Sequence, residues 1–182
     1  YDNFGVEKGV RRMADDFQSN WDLVDERVGA TAPPPVDHTA IQAGLAAACA
    51  SVAAFEAPPA DSQEKVIAAF ARHAEVLATP LPFGELLRVL LAIAGAKAQG
   101  NAANWKKHHR DDSVIGAYTA AVAAAATSAT AGLARCNEER RLTLGAVLRE
   151  FTLSSVNARR EDGSLEFHDL LVLSRRLLRE HE

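Results

Sequence analysis

Apolar positions along this chain recur at three- and four-residue spacing and rarely alternate, a pattern of helices rather than strands. An amphipathic segment over residues 6–17 leads into Asn20-Trp21-Asp22-Leu23-Val24. Residues 31–35 hold three consecutive prolines; proline lacks the N–H that a helix interior needs, so a turn or linker is expected there. Asp37 is placed to cap a helix over 38–55 with Ile41, Leu45, Ala48 and Val52 on one face. Pro58-Pro59 ends that run. Asp61-Ser62-Gln63-Glu64 then reads as a capping-box-like start for a helix bearing Val66, Ile67, Phe70, Val76 and Leu77. Pro80 and Pro82 break it, and residues 83–98 form a short, strongly apolar helix.

Residues 100–112 are the longest polar stretch without periodicity. From Ser113 to about Arg160 there is no proline, and Tyr118, Val122, Ala125, Ala129, Leu133 and Cys136 recur at helical spacing, followed by Leu144, Val147, Leu148 and Phe151. One long helix, or two with a kink near 132–137, fits equally. Residues 161–164 read as a turn, 165–167 as briefly extended and 169–179 as a final amphipathic helix. That helix sets Phe167, Leu170, Leu171, Leu173, Leu177 and Leu178 against Arg175, Arg176, Arg179 and Glu180. Its apolar face is expected to fold back onto the 113–160 helices or to pack against a second copy in a homodimer. The fold class is all-α, mainly helical: an irregular bundle with one or two long helices and at most a very short extended segment near Leu165-Phe167. Residues 1–160 form the expected helical body and 161–182 a return segment.

Composition sharpens this picture. Apolar residues make up 48% of the chain, much of it alanine, and aromatics only 6%, which suits close-packed helices better than sheet. No apolar run approaches the roughly 20 residues that span a bilayer, and no secretory pattern opens the chain, so no membrane partner is expected. Tyr1 is not an initiator methionine, which fits a cut from a longer polypeptide. A net charge of −4 gives no global pull toward nucleic acid, so any such contact rests on a local patch. Cys49 and Cys136 stand alone in Ala-rich helical contexts and read as buried free thiols of a reducing, cytoplasmic environment.

Little of the chain suggests catalysis. No Gly-x-x-x-x-Gly-Lys-Ser/Thr loop occurs to cradle phosphates. Leu23-Val24-Asp25-Glu26 has the outline of an ATPase metal-site strand, but only two apolar residues precede the acids, and a solvated acidic helix end or turn is the better reading. The six histidines make no metal site: His108 and His109 are adjacent and diverge, while His38 and His73 sit singly. The patch with chemical potential is Trp105-Lys106-Lys107-His108-His109-Arg110, where cations suit phosphates and the indole offers a face for a base; the alternative is a solvated loop with Trp105 tucked against its own helices and the charge diluted by Asp111-Asp112. Arg159-Arg160 is placed to complement a helix C-terminus.

The segment Gly163-Ser164-Leu165-Glu166-Phe167-His168-Asp169-Leu170-Leu171 resembles the Gly-x-Leu-Asp-Phe-Asp-Asp-Leu-Leu segment of UvrD/Rep-type (superfamily-one) DNA helicases, including RecB- and AddA-like members. Gly163, Leu165, Phe167, Asp169 and Leu170 match it, and His168 replaces the first Asp of the pair. Asn20-Trp21-Asp22-Leu23 and Gly100 through Trp105 resemble further elements of actinobacterial UvrD-like proteins, in the same order along the chain. The resemblance implies a parent that translocates on DNA at the expense of ATP, with this chain as its helical (1B) insertion subdomain. By the same resemblance the phosphate-gripping loop lies upstream and the Mg²⁺-binding Asp-Glu pair downstream. ATP and Mg²⁺ then belong to the parent, and this chain alone carries no cofactor and no catalytic activity. Its partners would be single-stranded or junction DNA and the rest of the helicase core. A free-standing helical module that binds a protein is the alternative.

Overall fold

The computed structural model describes residues 3–98 and 101–180, so Tyr1, Gly100 and Glu182, used in the sequence reading, lie outside the described residues. The described chain is all-α: α1 (Asn3–Ser19), α2 (Trp21–Arg27), α3 (His38–Ala53), α4 (Gln63–Leu77), α5 (Phe83–Ala94), α6 (Ala102–His109), α7 (Ser113–Glu161) and α8 (Phe167–Glu180), with no strand among the described residues. Of residues 165–167, expected to be briefly extended, 165 and 166 are irregular and Phe167 already opens α8. Of the two readings of the proline-free stretch, the single long helix is the observed one. The polar, non-periodic stretch before it contains a helix that periodicity missed. Asn101 caps α6, its side-chain oxygen accepting from the N–H groups of Ala103 (3.0 Å) and Asn104 (3.4 Å).

Two compact units make up the chain: Tyr1–Pro34 with Glu139–Glu182, and Pro35–Glu138. The return segment belongs with the N-terminal helices, for a reason that lies in Asp169.

In the Pro35–Glu138 unit the sequence patterns map directly onto the core. Asp37 caps α3 by accepting from the Ala40 N–H at 2.9 Å. Ile41, Leu45, Cys49 and Val52 of α3, Phe70 and Leu77 of α4, Leu86, Leu90 and Ile93 of α5, and Tyr118, Val122, Ala125, Ala129 and Cys136 of α7 are buried together. Gly132 lets helices approach closely: a Cβ there would meet Ile41 Cγ2 and Leu90 Cδ2 at 3.1 Å each. Within this core the Tyr118 hydroxyl donates to Gln63 Oε1 at 2.8 Å, and burial pushes the Tyr118 pKa up to about 12. Cys49 and Cys136 are buried, and burial raises the Cys49 thiol to about 11, well away from the thiolate that reacts.

The other unit has a small apolar core, Trp21, Val156 and Val172 with Leu153 against them. Here the sequence pattern misleads. Of Leu144, Val147, Leu148 and Phe151, only Leu148 is buried, while Val147 and Phe151 are exposed. The inward face of α7 instead presents Leu148, Arg149, Thr152, Val156 and Arg159, because the helices opposite supply carboxylates for the arginines.

One stretch of α7 bears on the membrane reading. The helix is long enough, and an 18-residue window within it apolar enough at a mean hydropathy of 1.4, to cross a membrane by length and composition alone. Alanine produces that value. The same helix carries the Tyr118-to-Cys136 stripe into the core of the Pro35–Glu138 unit.

Candidate functional site

Asp169 is the centre of the first unit. Its side chain is 1% exposed and accepts four hydrogen bonds: from Trp21 Nε1 at 2.9 Å, from Arg159 Nε and Nη2 at 3.1 Å each, and from the Glu166 N–H at 3.0 Å. The last of these is the reciprocal arm of a capping box, in which the third residue of α8 reaches back to the residue before the helix. Hydrogen bonds from Arg159 are the largest cause holding the Asp169 carboxyl below its usual range; those from Glu166 and Trp21 add to this and burial opposes it. The same bonds raise the Arg159 guanidinium further above its ordinary value. Arg159 occupies the last turn of α7, as its sequence position predicts, but its guanidinium is spent on Asp169.

The chain reaches this geometry by a tight stop. Gly163, at φ +68°, ends α7 in the left-handed region, with the Ser164 N–H donating to the Arg159 carbonyl at 2.9 Å and the Gly163 N–H to that of Arg160 at 3.4 Å, a Schellman closure. Residues 164–166 then turn the chain into α8. Of the five return-segment positions, Gly163 and Asp169 thus have defined structural work and Leu165 is half-buried, whereas Phe167 and Leu170 are exposed.

The acidic Leu23-to-Glu26 stretch lies on α2 and is more than a solvated end. Asp25 receives Arg149 Nη2 at 2.8 Å and Arg176 Nη2 at 3.2 Å, Glu26 lies 3.4 Å from Arg175 Nη2, and buried Asp22 lies 3.2 Å from Arg175 Nη2 and 3.4 Å from His168 Nε2. The Arg176 guanidinium also stands 5.2 Å from the centre of the Trp21 ring. The departure from the helicase-like pattern at His168 therefore meets a carboxylate of α2. Among the described residues no group of three His, Cys, Asp or Glu is placed to hold a metal. A cleft of about 600 Å³ in this unit is lined by Met13, Phe17, Val28 and Leu142, with Arg27 and Arg141, and its lining holds no carboxylate, imidazole or thiol.

The basic patch sits in the Pro35–Glu138 unit on α6 and the residue that ends it. Trp105 is fully buried, stacked on Tyr118 with ring centroids 4.8 Å apart, so its indole offers no face to a base. Of the two readings of Trp105, the tucked ring is the observed one: it belongs to the core, since an indole buries more apolar surface than any other side chain nearby could. Lys106 pairs with Asp112 at 2.6 Å, and His109 Nε2 donates to the Glu56 carbonyl at 2.9 Å. His108 Nε2 lies 3.9 Å from the Glu56 carboxylate. Lys107 and Arg110 are exposed. Together with His108, Asn104, Pro58 and Pro59 they line a polar depression of about 470 Å³. The proline pair carried no signal for this in the sequence, where it read only as the end of a helix. Comparison finds no matching family model, no matching curated protein and no matching solved structure.

Proposed function

We propose that this chain is the helical insertion subdomain of a UvrD/Rep-type, ATP-dependent DNA helicase or translocase of DNA repair or recombination. The observation that carries the reading is the Trp21 Nε1–Asp169 hydrogen bond of 2.9 Å. It joins two elements of the helicase resemblance, Asn20-Trp21-Asp22-Leu23 and the Gly163-to-Leu171 segment, that lie 148 residues apart in sequence. In this reading the chain works in the cytoplasm, the nucleotide and Mg²⁺ are bound by the parent outside it, and DNA contact falls to the cations of the 106–110 patch. Titrating Mg-ATP into the chain is expected to give no heat of binding; saturable binding at micromolar ligand would overturn the placement of the nucleotide site. Sequencing the gene beyond the Glu182 codon is the direct test. An apolar strand ending in an Asp-Glu pair is expected, and an immediate stop codon would sink the reading.

One observation favours the second reading, a helical protein-interaction module. On α8 the side chains of Phe167, Leu170, Leu171, Leu177 and Leu178 form one stripe and are each between 49% and 75% exposed. A contiguous apolar surface of this kind marks an interaction face. Under the helicase reading the rest of the parent covers it; under the module reading a separate protein or a second copy does. Sedimentation of the isolated chain separates self-association from the others.

A further inference from the structure

Two independent features of the Pro35–Glu138 unit meet at Arg110. One is the polar depression lined by Pro58, Pro59, Asn104, Lys107, His108 and Arg110. The other is backbone strain. Among the described residues, Ala60 at φ +61° and Arg110 at φ +56° are the non-glycine residues with positive φ. Ala60 holds the glycine-favouring third position of the turn that the Asp61 N–H closes onto the Pro58 carbonyl at 3.0 Å. Arg110 ends α6 with its N–H donating to the Lys106 carbonyl at 2.8 Å, a position glycine fills without strain. Strain of this kind persists where a side chain is needed at a set place.

We propose that this depression is a phosphate-binding site, with Arg110 and Lys107 as its fixed cations. The Arg110 guanidinium suits two phosphate oxygens at once and the Lys107 ammonium a third, while the Asn104 amide and the His108 ring supply further N–H donors. Neither Lys107 nor Arg110 has a side-chain hydrogen bond or ion pair among the described residues, so both are available. The acids that follow in sequence are engaged elsewhere. Asp112 pairs with Lys106, and Asp111 accepts from the Ser113 N–H at 2.8 Å just ahead of α7. The opposing groups are the Glu56 carboxylate, 3.9 Å from His108, and the carbonyl end of α6, so side chains rather than helix backbone must provide the attraction. With Trp105 sealed in the core, the site reads phosphate and not base. That the phosphate belongs to a nucleic-acid strand rests on the DNA-facing reading above; free phosphate is the other source of the same chemistry.

The test uses the whole chain. Fluorescence anisotropy follows binding of a labelled oligothymidylate and of an abasic deoxyribose-phosphate strand of equal length at several salt concentrations. Amide NMR follows inorganic phosphate. Both strands are expected to bind within about three-fold of each other, with a log–log salt slope of roughly −1.4 for two neutralised phosphates. Arg110→Gly is expected to melt higher, through relief of strain, yet to bind either strand about five-fold more weakly, and Glu56→Gln to bind more tightly. If Arg110→Gly melts higher and binds unchanged, the arginine merely closes a helix and the site is refuted, while DNA binding elsewhere survives. An abasic strand weaker by about ten-fold or more would likewise refute recognition of phosphate alone. If inorganic phosphate shifts the Lys107 and Arg110 amides while neither strand binds, the site stands and the DNA-facing reading falls.

Discussion

A carboxylate that accepts four hydrogen bonds while almost wholly removed from water cannot be replaced piecemeal. Asp169→Asn keeps the shape of the side chain but removes the charge that Arg159 faces and one of the acceptors, leaving a guanidinium against a neutral amide. Removing one partner of a buried pair costs about 3–5 kcal/mol, so this variant is expected to lose most of the stability of its unit in urea unfolding. A loss below about 1 kcal/mol would mean that Arg159 finds water instead. Thr152 tests the opposite case. Its hydroxyl is fully buried and has no hydrogen-bond partner among the described residues. Thr152→Val replaces that unsatisfied group with a methyl of similar size and should stabilise the unit by about 1 kcal/mol. A destabilised Thr152→Val would point to a buried water on the hydroxyl.

Helix α8 is amphipathic in sequence and inverted in place. Asp169 and Val172 are its buried residues, Arg175 and Arg176 are half-buried beside them, and the leucine stripe faces outward. The expectation that this stripe folds back onto α7 is therefore corrected. The helix does fold back, but through the face that carries Asp169 and Val172, because Asp169 fixes the rotation of α8 by its bonds to Trp21 and Arg159. Changing Leu170 and Leu177 together to glutamate should leave the melting temperature of the isolated monomer within a few degrees of the parent, surface changes being worth about 0.5 kcal/mol or less. Val172→Glu should unfold the same unit. A Leu170/Leu177 double variant that melts far lower would show the stripe to be buried in solution. What was legible in the sequence follows from this contrast. Where packing is apolar, as along Tyr118, Val122, Ala125, Ala129 and Cys136, periodicity finds the buried face, and Asp37 announces its cap. Where paired charges hold the helices, hydropathy names the wrong face, since it cannot know that a counter-charge 124 residues away in sequence, as Asp25 is from Arg149, makes burial tolerable. Trp105 stayed open between two readings for a related reason: a short helix built from polar residues leaves one aromatic without a visible stripe, and only Tyr118 shows where it goes.

Across the whole molecule, two units are stabilised by different physics. The Pro35–Glu138 unit relies on an apolar core with a neutral Tyr118–Gln63 hydrogen bond inside it, and the other on a three-residue core ringed by ion pairs. Their responses to acid should differ accordingly. The folded-state pKa of Asp169 is depressed, so the stability it contributes is fully present above the unfolded carboxyl range near about 4 and is lost as pH falls through the lower folded value. Acid titration is expected to unfold the Asp169 unit first, with Asp169→Asn abolishing most of that dependence; simultaneous loss of both units would contradict it. The chain also carries the means of observing this. It has two tryptophans, Trp21 beside the Asp169 carboxylate and the Arg176 guanidinium, and Trp105 in an aromatic stack with no acceptor for its N–H among the described residues. One indole lies in a charged setting and the other in a dry one, one tryptophan per unit. Two single-tryptophan variants, each read by emission wavelength and quenching, would therefore report the two halves of the chain as separate spectroscopic channels without any added label.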